Sequence, residues 1–101
     1  MIEIGTFKEI ENDDYPPFES TDQPIPEKEI VLRYLKETPD VAAAPAILRD
    51  VFTGESLHME LLARSDGVYI WRSDIAYYFE KYDLKLPNEF IEYVLQQTAA
   101  K

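Results

Sequence analysis

Apolar positions along the chain change period repeatedly, and each change marks an element boundary. From Met1 to Ile10 they fall at Ile2, Ile4, Phe7 and Ile10, beginning with the alternation of a strand and ending with the spacing of a helix. The type of that stretch stays open. Residues 12–26 read NDDYPPFESTDQPIP, where four prolines among Asn, Asp and Ser remove backbone donors and favour turns, so an extended segment pinned by Tyr15, Phe18 and Ile25 is expected. A helix follows over Glu27–Glu37. Its face is Ile30, Val31, Tyr34 and Leu35, with Pro26 suited to the first helical position and Glu27 and Glu29 to the positive end of the dipole. Thr38, Pro39 and Asp40 stop it, and Ala42–Pro45 is a small-residue connection of open form.

The middle of the chain alternates. Ile47–Phe52, the turn residues Thr53, Gly54 and Glu55, and then Leu57, Met59 and Leu61 between His58 and Glu60 predict a hairpin. Asp66-Gly67 supplies a second tight turn before Val68–Trp71, giving a three-stranded antiparallel meander with one wet face. Helical spacing then returns. Ser73 reads as an N-cap for a helix over Asp74–Tyr82, whose Ile75, Tyr78, Phe79 and Tyr82 share a face. Pro87 opens a third helix with Phe90, Ile91, Val94 and Leu95 inward, and Gln96–Lys101 is expected to fray. The class predicted is α+β, a small antiparallel three-stranded sheet packed with about three helices. At 101 residues one domain is expected, with residues 1–25 an acidic, proline-rich N-terminal segment and 26–96 a compact body.

Charge sharpens this picture. The net charge is −10, and residues 1–29 hold nine acids against Lys8 and Lys28, so seven of the ten net charges lie there. Such a surface repels phosphates and anionic lipid and attracts basic proteins; direct nucleic-acid binding and membrane association are not expected. There is no cysteine, which excludes disulfides and thiolate metal sites and makes the cytoplasm the expected compartment. No apolar run approaches the roughly 18 residues a membrane span needs.

Catalytic chemistry finds little support. His58 is the only histidine and is expected on the solvated face of the hairpin, and Gly5, Gly54 and Gly67 are too scattered to cradle a phosphate. No catalytic residue, cofactor site or metal site is expected. The seven tyrosines point instead to binding, since a phenol offers large contact area with a polar tip. Tyr78 and Tyr82 lie on an apolar stripe and are assigned to the core, as is Trp71, whereas Tyr77 and Tyr93 fall off their stripes and are expected to be exposed.

The stretch Ser65–Leu95, SDGVYIWRSDIAYYFEKYDLKLPNEFIEYVL, resembles the C-terminal part of small bacterial immunity proteins encoded beside polymorphic or contact-dependent toxins. The shared features are the Asp66-Gly67 turn, an aromatic strand ending in Trp71, a Tyr-rich helix, and the helix start Leu86-Pro87-Asn88-Glu89-Phe90; Arg72 stands where that pattern suggests proline. The resemblance implies a protein that binds a cognate toxin in the producing cell and neutralises it stoichiometrically. Toxins of this kind are frequently nucleases with basic clefts, which an acidic partner can fill by imitating phosphate charge. On that implication Asp13, Asp14, Tyr15, Phe18, Glu19 and Asp22 are the first interface candidates, with Asp74, Tyr77 and Glu80 as an alternative surface. An acidic adaptor or regulatory domain binding a basic host protein is the alternative function, and an enzyme subunit completed by another chain a third. Monomer and homodimer are both left open.

Overall fold

Tyr69 and Trp71 alternate with Ile70 and Arg72, and the first pair is buried while the second is half-exposed. That alternation fixes which side of the sheet is dry. The computed structural model describes residues 1–25 and 27–99, ordered as β1 (Ile2–Glu3), α1 (Lys28–Glu37), β2 (Asp40–Ala44), β3 (Leu61–Ser65), β4 (Tyr69–Arg72), α2 (Ile75–Tyr82) and α3 (Asn88–Ala99). Pro26, assigned above to a helix start, and Ala100 and Lys101 of the expected frayed tail lie outside the described residues.

The class is α+β with three helices, as expected, but the sheet has four strands in the order β1-β4-β3-β2 and is mixed. β1 runs parallel to β4, with Ile2 opposite Tyr69, and the other neighbours are antiparallel. The expected hairpin about Thr53-Gly54-Glu55 is reduced to a single antiparallel bridge, Arg49 to Ser56, outside the main sheet, because Asp50 draws the Phe52 and Thr53 amides into a tight loop. The alanine-rich stretch that follows α1 takes that place in the sheet as β2. The expected second strand is displaced from Leu57–Leu61 to Leu61–Ser65. Its position is counted back from the Asp66-Gly67 turn, where the Asp66 carboxylate accepts the Val68 and Tyr69 amides at 2.8 and 2.7 Å and so sets Ser65 opposite Ile70. Gly67 supplies the positive φ of 95° that this turn requires.

On the dry side, Trp71 donates its indole N–H to the Leu35 carbonyl at 3.2 Å and packs edge-on against Phe90, with Tyr69 between Phe90 and Tyr93. Tyr93 is therefore half-buried, not exposed as its helical phase suggested. Val31, Leu35, Ile75, Tyr78, Phe79 and Val94 complete the core. α3 continues past Gln96 to Ala99, and the Thr98 hydroxyl bonds back to the Val94 carbonyl at 3.0 Å. Ser73 does not cap α2; its hydroxyl donates to the Glu60 carbonyl and accepts the Leu62 amide, tying β3 to the end of β4.

The N-terminal segment lies along the body as a strap. Ile4 and Phe7 are buried, Ile10, Phe18 and Ile25 pack against the core, and Ser20 bridges to Leu84. Further bonds run from the Thr21 amide to the Asp83 carbonyl and from the Lys85 amide to the Glu19 carbonyl, at 3.0 and 2.8 Å. Gly5 sits at a φ of +78°, and a methyl group there would stand 2.7 Å from Ile75 Cγ2, which is fully buried. Gly5→Ala should lower the unfolding free energy by about 2 kcal/mol, combining backbone strain with displacement of a packed side chain, as read from urea denaturation.

Candidate protein-interaction face

Residues 48–57 fold back on themselves as a small loop. The Leu57 amide donates to the Leu48 carbonyl at 3.0 Å, the Asp50 amide to Glu55 at 2.8 Å and the Gly54 amide to Asp50 at 2.7 Å. Buried Leu48 anchors the base. The turn is organised by Asp50, which is 0% exposed. Its Oδ1 accepts the Phe52 and Thr53 amides at 2.7 and 3.1 Å, and its Oδ2 accepts the Tyr77 and Tyr82 hydroxyls at 2.5 and 2.7 Å. Lys81 stands 3.8 Å away. The third phenol of α2, Tyr78, donates to the Arg49 carbonyl at 3.2 Å and accepts the Val51 amide at 3.1 Å. Positions 77 and 81 and positions 78 and 82 are each one turn apart, so two adjacent rows of α2 present all four polar tips to the loop.

The hydrogen bonds keep the Asp50 seat ionised at neutral pH. Burial alone would raise the Asp50 carboxyl, but the Tyr77 and Tyr82 hydroxyls and the two amides outweigh it and hold the pKa down to about 2. The same carboxylate pushes Tyr77 and Tyr82 up to about 12. Asp50 is thus charged and its phenols protonated across the physiological range.

The loop displays what it does not bury. Val51 and Phe52 are 42% and 46% exposed. Phe52 rests edge-on against Tyr82 at 4.9 Å and Phe18 at 5.1 Å, with buried Phe7 and Tyr78 behind it. Phe18 is the point where the acidic segment meets this aromatic cluster. Two bonds hold it there: the Lys8 amide to the Pro16 carbonyl at 2.7 Å, and the Phe18 amide to the Glu9 carboxylate at 3.1 Å. The loop they close carries Asp13 and Asp14, both exposed.

Of the residues expected at an interface, Asp13, Asp14, Glu19 and Asp22 are exposed, Glu19 lying 3.4 Å from Lys85. Tyr15 is half-buried with its hydroxyl beside Glu3, which raises its pKa. Phe18 and Tyr77 are half-buried and meet the same loop. Tyr77 is accordingly engaged by Asp50, not free as its phase suggested. Asp74 is 2% exposed and takes the Arg72 guanidinium through both oxygens at 3.1 and 2.9 Å, so it faces no partner. Arg72 also reaches Glu11 at 2.6 Å and the Ile10 carbonyl at 2.7 Å, fastening the strap to β4. Glu80 is exposed, 3.6 Å from Lys36, and lines a groove of about 630 Å³ together with Tyr77, His58 and Arg64. His58 is an exposed loop residue with φ of 51°, not a sheet residue. Asp50, Val51, Phe52 and Tyr82 were not singled out as interface residues from the sequence.

Comparison with family models, curated proteins and solved structures returned no match. Among the described residues no group of three His, Asp or Glu side chains is arranged to hold a metal ion, and no helix is long and apolar enough to cross a membrane.

Proposed function

We propose that this protein is an immunity protein that binds a cognate bacterial toxin and neutralises it stoichiometrically in the cytoplasm of the producing cell, without catalysis or cofactor. The observation that carries the proposal is the Val51–Phe52 knob, an exposed apolar tip on an aromatic base beside the acidic strap. Large aromatics set in a pre-organised frame are the groups that supply most interface energy. Asp50 is fully engaged in holding that frame, which fits a binding role better than a chemical one. The charge of −10 fits a partner with a basic surface, and a nuclease cleft is the toxin feature best matched to it.

The test is co-expression with the protein encoded immediately upstream, followed by purification of the complex and stopped-flow association at two salt concentrations. Rescue of growth and a one-to-one complex are expected. The association rate should fall about tenfold between roughly 0.05 and 0.5 M salt, because screening removes long-range steering while leaving the dissociation rate nearly unchanged. A harmless upstream product that forms no complex would overturn the toxin assignment and leave the acidic adaptor as the better account.

A further inference from the structure

β2 is the last strand of the sheet, so one side of its backbone has no neighbouring strand to pair with. All five of its residues are exposed, and the exposure continues beyond the strand: Val41–Ile47, reading VAAAPAI, is seven consecutive exposed residues without a charge, in a chain that is 30% charged. Val41 is 59% and Ile47 77% exposed. Edges are ordinarily guarded by lysine, by inward-pointing charge or by brevity. The other edge, β1, is two residues long and carries Glu3. On β2 the guards are Asp40 at its first position, a register shift between Asp40 and Ala42, and Pro45 just past its end. Beside it, Ala42–Ala44, Leu61–Ala63, Glu11 and Arg72 line a shallow groove of about 250 Å³ on the open face.

We infer that this edge is a self-association surface through which two copies join their sheets by antiparallel pairing of β2 with β2. An antiparallel pair of identical strands is complementary by symmetry, and alanine side chains let the backbones approach. Charge geography favours a second copy over a basic strand. The strand order puts β1 at the edge opposite β2; of the acids in the chain that follows β1, Glu11 lines the groove beside β2, while Ser20 bridges to Leu84 beyond α2. Of the nearby acids, Glu11 is paired with Arg72 at 2.6 Å, and Asp40 stands at the start of β2, outside the uncharged run. A basic strand would find no acid between Val41 and Ile47. The contact is small, well below the roughly 1,200 Å² of a stable interface, so the dimer is weak.

Sedimentation equilibrium of the full chain from roughly 10 μM to 1 mM, at about 0.15 and 0.5 M NaCl, tests it. The mass should rise from 11.8 kDa towards twice that value, further at the higher salt because screening weakens the repulsion. Ala43→Lys, which adds a charge to an exposed strand position, should stay monomeric throughout, as should Ile47→Asp, which lies outside the strand and serves if the first variant misfolds. A mass fixed at that of one chain, or a dimer that both variants leave intact, overturns the inference.

Discussion

Asp50→Ala should lower the unfolding free energy by about 4 kcal/mol, because it strands two amides and two phenols that a single buried carboxylate now satisfies. Asp50→Asn keeps the shape but offers one accepting oxygen in place of two, and about 2 kcal/mol is expected. Urea denaturation at pH 7 measures both, and a loss below about 1 kcal/mol for the alanine variant would show that the phenols hold the loop without the carboxylate. The pH dependence has a definite sign. Asp50 titrates near 2 when folded and near 3.8 in its ordinary range, so between those values the unfolded chain binds the proton more readily. Its contribution is complete above about pH 4 and is lost as pH falls towards 2. Asp66, lowered by the Tyr34 hydroxyl and two amides despite burial, acts in the same direction. Asp74 acts in the opposite one, since burial raises it even beside Arg72. The difference between wild type and Asp50→Asn isolates the Asp50 share, which should shrink steadily over that window.

How far these features were legible depends on the range over which each is decided. Of the helical stripe Ile75, Tyr78, Phe79 and Tyr82 the first three are buried, while Tyr82, expected in the core, is only half-buried with its hydroxyl on Asp50; the stripe and the Asp66-Gly67 turn are local and legible from spacing. β2 carried no alternation to read, because a run of alanines has none; it is a strand only because β3 offers a ladder. Ile47–Phe52 had the composition of a strand, yet a side-chain acceptor at Asp50 with Thr53 and Gly54 close behind offered its amides a better alternative than a ladder. The turn at Thr53-Gly54-Glu55 was legible; that the Asp50 carboxylate would shorten the strands on either side of it to one bridge was not. Asp74 was assigned to the surface by its place at a helix start, while Arg72, two residues earlier, turned it inward. The acidic strap was plain from charge, but its meeting with Phe52 through Phe18 joins distant parts of the chain, and no local pattern encodes such a contact.

Phe52→Ala should weaken the complex with the upstream-encoded toxin about 100-fold, close to 2.7 kcal/mol, chiefly by raising the dissociation rate. The effect follows from geometry: in a complex the exposed part of the Phe52 ring and its Phe18 and Tyr82 neighbours are desolvated together, beyond whatever truncation costs the free protein in contacts with Phe7, Phe18, Tyr78 and Tyr82. Val51→Asp should act in the same direction. Asp13→Asn combined with Asp14→Asn should behave differently, slowing association a few-fold and flattening its salt dependence while sparing dissociation, because exposed rim charges steer more than they hold. Glu89→Gln, on the exposed start of α3, should change neither rate. Surface plasmon resonance separates the two rate constants, and thermal unfolding of each free variant guards against a folding defect. If Phe52→Ala binds as wild type while the double Asn variant loses most of its affinity, the interface is the acidic loop and the aromatic knob is a structural prop. If both are silent but the complex forms, the contact lies on another face, and the groove beside Glu80 and Arg64 becomes the next surface to mutate.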